Sequence, residues 1–396
     1  MTTALDLPTA TATATAAAAP ERRLRLGGVT RAEVSTLGGA LLGSLALDWM
    51  LYERLLPFSG AQGFLLCWYL LFLGFCYALG SVQWDPQTVR ERLVSVVAWS
   101  AGLLLLVIIA EQIGYIAIRG WHAASHGNFL TQDMDHTAAH SPITSGGVLH
   151  AMIGSLEQLG LATLFAVPLG IAAAVFMSEV GGRAARPVRT MVEAMTALPS
   201  IVAGLFVLGV VILSLGLQAS GFAASLALTV MMMPIVTRAA EVVIRLVPGT
   251  LREASYALGA SQWRTVWNVV LPTARPGLVT AVVLGMARGV GETSPVLLTA
   301  GFTTRVNANP FSGHQVSLPL YIWNYVKQPY PDMVSRAFAA ALVLMAIVLV
   351  LFVTARVLGG RRPGALSRRQ RRRIARDAAA RDAVVRETAV REAATR

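Results

Sequence analysis

An all-α polytopic membrane protein is the fold class this sequence predicts, and three observations predict it. Of 396 residues, 55% are hydrophobic and only 14% charged, against about 25% charged in ordinary soluble domains. Apolar runs recur along the chain at a length that crosses a bilayer, about 20 residues in a helix. The basic residues collect in short connections between those runs and in one tail, which is how membrane topology is written.

Eight spans follow in order: 37–56, 61–82, 92–118, 148–178, 188–215, 221–247, 277–301 and 333–358. The second, third and eighth are nearly free of charge. The first holds Asp48, Glu53 and Arg54, and an acid at the centre of a span costs about 2.5–3.5 kcal/mol on insertion scales.

One side of the membrane receives Arg22, Arg23, Arg25 and Arg31, then Arg90 and Arg92, then Arg183, Arg186 and Arg189, then the 248–276 loop, then the tail from Arg361. The opposite connections, 57–60, 119–147, 216–220 and 302–332, hold only Arg119, Arg305 and Lys327. The positive-inside rule therefore puts both termini in the cytoplasm and the chain in the plasma (inner) membrane.

The same distribution explains the formal net charge of +12 without nucleic acid, because the arginines mark loops and do not form one basic face. Cys67 and Cys76 lie in one apolar run and read as packing residues, with no disulfide framework. Residues 1–36 begin with alternating Thr and Ala, lack the basic start and apolar core of a signal peptide, and read as a disordered leader. The tail, 361–396, opens with an arginine block and then pairs Asp377 with Arg381, Asp382 with Arg386 and Glu387 with Arg391 at the helical spacing of four. A solvated helix is expected there. Its arginine block serves as a topology anchor, or alternatively as a contact for anionic lipid.

Residues 248–276 are polar enough to leave the bilayer yet rich in helix formers, which predicts two short amphipathic helices broken at Gly259. Glu253, Ala254 and Ser255 are followed at fixed spacing by Gly259 and then by Val269, Val270, Leu271 and Pro272. This series resembles the coupling loop of ABC importer permeases, with Ser255 and Val269 as mild departures from its pattern. The resemblance implies a helix that seats in a groove of a separate nucleotide-binding subunit, with Glu253 as a charged anchor and Gly259 allowing close helix packing. The chain has no phosphate-binding loop of its own, since Lys327 is its only lysine and lies outside. It is expected to be no enzyme and to bind no cofactor, with ATP used by a partner ATPase.

Further matches run from Gly154-Ser155-Leu156 through Pro168-Leu169-Gly170 to Glu179, then Leu198-Pro199-Ser200, then Ala287-Arg288-Gly289-Val290-Gly291-Glu292-Thr293-Ser294-Pro295. They resemble the phosphate permease pair, and Ser317-Leu318-Pro319-Leu320-Tyr321 is similar to its PstA half. The resemblance covers about 90–358. It implies a type I importer core of six helices over 91–360, preceded by an extra hairpin over 37–90. Implied partners are a homologous PstC-type permease, two copies of a PstB-type ATPase and a PstS-type phosphate-binding protein. A permease of the same fold for sulfate, molybdate or phosphonate is the alternative, followed by a membrane enzyme or channel.

Within otherwise apolar spans, Arg288 and Glu292 stand four apart and Arg238 and Glu241 three apart, spacings that allow each pair to meet on one helix face. A guanidinium facing lipid is expensive, so both arginines are expected to point into an interface or wet cavity. There a planar donor fork fits phosphate oxygens two at a time. Each pair is read either as a helix-to-helix lock or as part of the translocation path. His122, His126, His136 and His140, with Asp133 and Asp135, sit in the outer 119–147 loop. Imidazoles one turn apart can hold zinc, but a solvated loop or a contact surface for the binding protein, shared with 302–332, is the expectation, with no metal.

Overall fold

The computed structural model describes residues 31–55 and 60–359; the expectations for most of the leader and for the whole tail lie outside these residues. The chain divides into two compact units, up to Ala110 and from Glu111 onward.

The first unit contains α1 (Arg31–Trp49), extended by a π-helical segment over Met50–Leu55, then α2 (Ala61–Gln83) and the beginning of α3 (Pro86–Ala124). Gly60 turns the chain into α2 with φ of 116°, a conformation open to glycine. In α1, Ser44 and Asp48 are fully buried. Tyr69 of α2 reaches Ser100 of α3 through a hydroxyl pair at 2.6 Å, satisfying two polar groups inside apolar runs.

The second unit continues α3 and adds α4 (Gly127–Thr131), α5 (Leu149–Val175), α6 (Gly182–Thr196), α7 (Ser200–Val207), α8 (Gly221–Arg245), α9 (Gly249–Ala257), α10 (Gln262–Thr265), α11 (Leu271–Val290), α12 (Ser294–Thr299), α13 (Leu318–Tyr325) and α14 (Pro331–Leu358). Two helix starts carry a side-chain cap. Ser220 opens α8 by accepting from the Ala223 N–H at 3.3 Å, and Ser317 opens α13 by accepting from Leu320 at 3.4 Å.

Most of α8 is buried, between α5 and α11. Small residues make this possible: a Cβ on Gly170 of α5 would stand 3.0 Å from the Val236 side chain, and one on Gly285 of α11 would stand 2.5 Å from it. Close backbone approach through small residues is how helices associate where lipid removes the hydrophobic drive.

Among the described residues, seven helices are long and apolar enough to cross a membrane, or eight if a bent pair counts as one span. That pair corrects the expected single span 188–215. The chain forms α6 and then α7 with a π-helical extension over Leu208–Ser214, the two meeting at 107°. The break falls at Pro199, which cannot continue a helix and holds Leu198 away from helical geometry. The helix α6 carries charge on one side and buries Ala185 and Val192 on the other. Three further boundaries shift. The third span runs from Pro86 to Ala124 and so takes in His122 of the expected loop. The 277–301 span breaks after Val290 into α11 and α12. The second short helix expected over 248–276 does not stand alone: α10 passes through a π-helical segment, Val266–Val270, into α11, giving one run over Gln262–Val290.

Candidate functional site

Two charged regions lie along the α8–α11 axis. The first is Arg288 with Glu292. Arg288 is in the last turn of α11, whereas Glu292 lies beyond its end, in the break before α12, with its N–H on the Gly289 carbonyl at 3.2 Å. The pair therefore bridges a helix end, not one helix face as the sequence suggested. Arg288 Nη2 stands 3.0 Å from Glu292 Oε1, but no N–H is aligned on that oxygen as a hydrogen bond. Arg288 is 52% exposed and Glu292 8%. A buried carboxylate with a half-exposed, loosely aimed guanidinium leaves donors free for a second anion.

The second region lies further toward α9. Gly289 packs against Met232 of α8, and Arg238 is six residues along from Met232, roughly 9 Å at the helical rise. The expected Arg238–Glu241 pair does not form. Arg238 Nη2 instead donates to Glu193 Oε1 of α6 at 2.9 Å, and Glu241 Oε1 accepts from Arg189 of α6 at 2.8 Å and from Arg245 at 2.6 Å. The bent α6 supplies nearby partners, and Arg245 follows Glu241 by four residues, the better helical orientation. Glu241 is buried, while Arg238 and Glu193 are both exposed. These α6 partners are not legible in the sequence, where 188–215 reads as one straight span.

The 248–276 segment follows directly on that end of α8. Glu253 and Ala254 of α9 are exposed, and Ser255 Oγ meets Thr265 Oγ1 of α10 at 2.9 Å. This hydroxyl pair ties the two arms together, so Ser255 has a role that Ala would lack. Gly259 turns between the arms with φ of 79°, and a Cβ there would meet nothing within 4 Å. Its necessity is thus conformational, and the expected close packing at Gly259 is absent. Leu271 is half-buried and Pro272 exposed where α11 begins. Leu258, Trp263 and Trp267 stand exposed around this segment, an apolar patch of the kind that marks a binding surface.

A residue pair missed in the sequence fixes α9. Arg252 donates through Nε and Nη2 to both oxygens of Glu179, at 3.2 and 2.7 Å, and caps the carbonyls of Val247 and Ile244 at 2.7 and 3.0 Å. Gln262 donates to the Glu179 carbonyl at 2.5 Å. Glu179 lies in the π-helical extension of α5, Phe176–Val180, so α9 and α10 are both tied to that extension. The position of Glu179 within a recurring motif was the available signal.

In the 119–147 segment the histidines separate. His122 and His126 stack edge to face at 5.9 Å, His136 stands 3.4 Å from Asp135, and His140 packs on Tyr330. Among the described residues no three His, Cys, Asp or Glu side chains form a group able to hold a metal. Asp135 instead accepts from Arg305 Nε at 2.5 Å, which joins this loop to 302–332 and raises the Arg305 pKa above its ordinary value.

Residues 166–362 match the family described as binding-protein-dependent transport system inner membrane component. The phosphate transport system permease protein PstA 1 of Mycobacterium tuberculosis is 38% identical over 282 residues, 70% of this chain and 92% of that protein. This chain belongs to the PstA permease family. The PstA protein of Mycobacterium leprae is 39% identical over 66% of this chain and 88% of its own length. A chain of the inward-facing MetNI methionine ABC transporter aligns over 52% of this chain and 93% of its own length, at 22% identity and a TM-score of 0.42. The portion shared with these relatives leaves about a third of this chain outside the alignment.

Proposed function

We propose that this chain is the permease subunit of an ATP-driven importer that moves inorganic phosphate into the cytoplasm. The relatives named as phosphate transport permeases support the substrate. The observation that carries the reading is the Arg288–Glu292 pair, where a half-exposed guanidinium is held beside a buried carboxylate without an aligned hydrogen bond.

Arg288 exchanges its contact with Glu292 for phosphate as the path opens, so neither charge is stranded without a counter-charge in a poorly polar medium. Arg238, exposed and about two turns along α8, receives the anion next, with Glu193 as the partner it releases. Glu241, held by two arginines, acts as a lock between α6 and α8. Motion enters at Glu253, Ala254, Ser255 and Gly259, with Leu271 and Pro272 leading it into α11, as a docked helix moved by an ATPase that supplies all nucleotide hydrolysis. The full importer in this reading comprises this chain, a PstC-type permease, two PstB-type ATPases and a PstS-type binding protein, with both termini of this chain cytoplasmic.

Uptake of radiolabelled phosphate into vesicles carrying the assembled importer tests the proposal. Arg288→Gln is expected to lower uptake at least about tenfold, one tenfold step being about 1.4 kcal/mol, with assembly and ATP hydrolysis retained. Wild-type uptake by that variant refutes the role of Arg288, and competition by sulfate or molybdate in the wild type refutes the choice of phosphate.

A further inference from the structure

The two arginines that meet on Glu241 use little of what they carry. Arg189 of α6 and Arg245, the last residue of α8, each place one nitrogen, Nη2, on the same oxygen, Glu241 Oε1, at 2.8 and 2.6 Å. A guanidinium holds five N–H donors in a flat fork. Among the described residues neither Arg189 nor Arg245 makes a further hydrogen bond through its side chain. Arg252 is the contrast, since it commits Nε, Nη1 and Nη2 to both oxygens of Glu179 and to two carbonyls.

Glu241 holds the two forks side by side. Because both stand on one oxygen, their Nη2 atoms are no further apart than the two distances laid end to end, a gap that two oxygens of a single tetrahedral oxyanion bridge at hydrogen-bonding distance. The carboxylate is 6% exposed and fixed between the helices, while Arg189 and Arg245 are 34% and 55% exposed and so within reach of a solute.

Charge favours an anion there. Two guanidiniums against one carboxylate leave a net positive charge, and like charges this close repel one another unless a counter-charge joins them. Arg186 is exposed, stands one turn before Arg189 on α6, and has no carboxylate partner among the described residues. Since Glu193 meets Arg238 and Arg189 meets Glu241, α6 runs antiparallel to α8. The cluster therefore lies at the α9 end of α8, beyond Arg238 by about 10 Å at the helical rise.

We propose that Arg189 and Arg245 form a further binding site, for a phosphate group, with Glu241 as the positioning residue that keeps the two forks together. The group is free phosphate that has passed Arg238 or the headgroup of a membrane lipid, which present the same tetrahedral oxygens. The inference rests on the reading above only in choosing phosphate among the oxyanions.

The probe is inorganic phosphate, and the readout is the rate at which phenylglyoxal modifies Arg189 and Arg245 in the assembled importer, each followed by mass spectrometry of its peptide. In maltoside detergent, phosphate in place of chloride at equal ionic strength is expected to slow both rates at least about fivefold at concentrations well above its dissociation constant. Slow modification in phospholipid nanodiscs without phosphate, relieved by transfer to maltoside, assigns the site to a headgroup. Arg245→Lys keeps one nitrogen for Glu241 but loses the fork, so the thermal midpoint is expected to hold while Arg189 loses its protection. Arg189→Lys, read at Arg245, is the second variant should Arg245→Lys lose stability. Rates that neither phosphate nor lipid changes, or protection of Arg189 that survives Arg245→Lys, would overturn the proposal. The readout needs no transport, so its failure is distinct from a failure of Arg288→Gln to lower uptake.

Discussion

Arg252 grips Glu179 with two donors, at 2.7 and 3.2 Å, and joins α9 to the end of α5 across 73 residues of sequence. Both side chains are largely shielded, and a two-pronged guanidinium–carboxylate contact fixes direction as well as distance. A force applied to α9 therefore reaches α5 without first passing through α11.

Arg252→Ala leaves the Glu179 carboxylate buried without its partner, a loss on the order of 3 kcal/mol for such pairs. The expected outcome is an importer that still assembles and hydrolyses ATP but moves about tenfold less phosphate per ATP. Parallel measurement of uptake and hydrolysis on one preparation checks this. An unchanged ratio would remove Arg252 from the coupling path.

Gly259 separates conformation from crowding, because the space around it is open and only its φ of 79° excludes other residues. Gly259→Ala should cost about 1 kcal/mol and Gly259→Val more, each read as lost ATPase co-purification. Gly259→Asn should keep most of the function, since Asn tolerates this conformation. Equal damage from Asn and Val would point to crowding by the partner instead.

Glu241 and Glu193 should respond in opposite degree. Glu241→Gln leaves Arg189 and Arg245 without their shared carboxylate, and since both arginines remain partly exposed a loss of about 1.5 kcal/mol in stability is expected. Glu193→Gln breaks an exposed pair and should cost at most about 1 kcal/mol. Thermal unfolding of the two purified variants distinguishes them.

Tyr325 sets an alkaline limit. Burial pushes its phenol from the ordinary value of 10 up to about 12. The folded state holds that proton more tightly than the unfolded state, so the contribution is fully present below pH 10 and is lost as pH rises toward 12. Unfolding followed through this range should show a decline in stability that Tyr325→Phe reduces.

Most of the spanning helices were legible because lipid leaves few alternatives to an apolar run of this length. The charged pair at Arg288 was legible for the same reason, since ionisable groups stand out in such runs. The partners of Arg238 and Glu241 were not, because they come from α6, whose 107° turn from α7 depends on Pro199 and on packing over the end of α8. Hydropathy averages across that corner and sees one span. At Gly259 the spacing pattern could not distinguish a tight contact from a left-handed turn.

The side chain of Val236 is pressed from both sides by glycine backbone, Gly170 on one flank and Gly285 on the other. Three helices meeting so closely have little room to slide past one another, since any substituent larger than hydrogen would already collide. They should tilt together as a single slab, which concentrates the flexibility of the transport cycle at the slab's margins, in the bends before α7 and after α11.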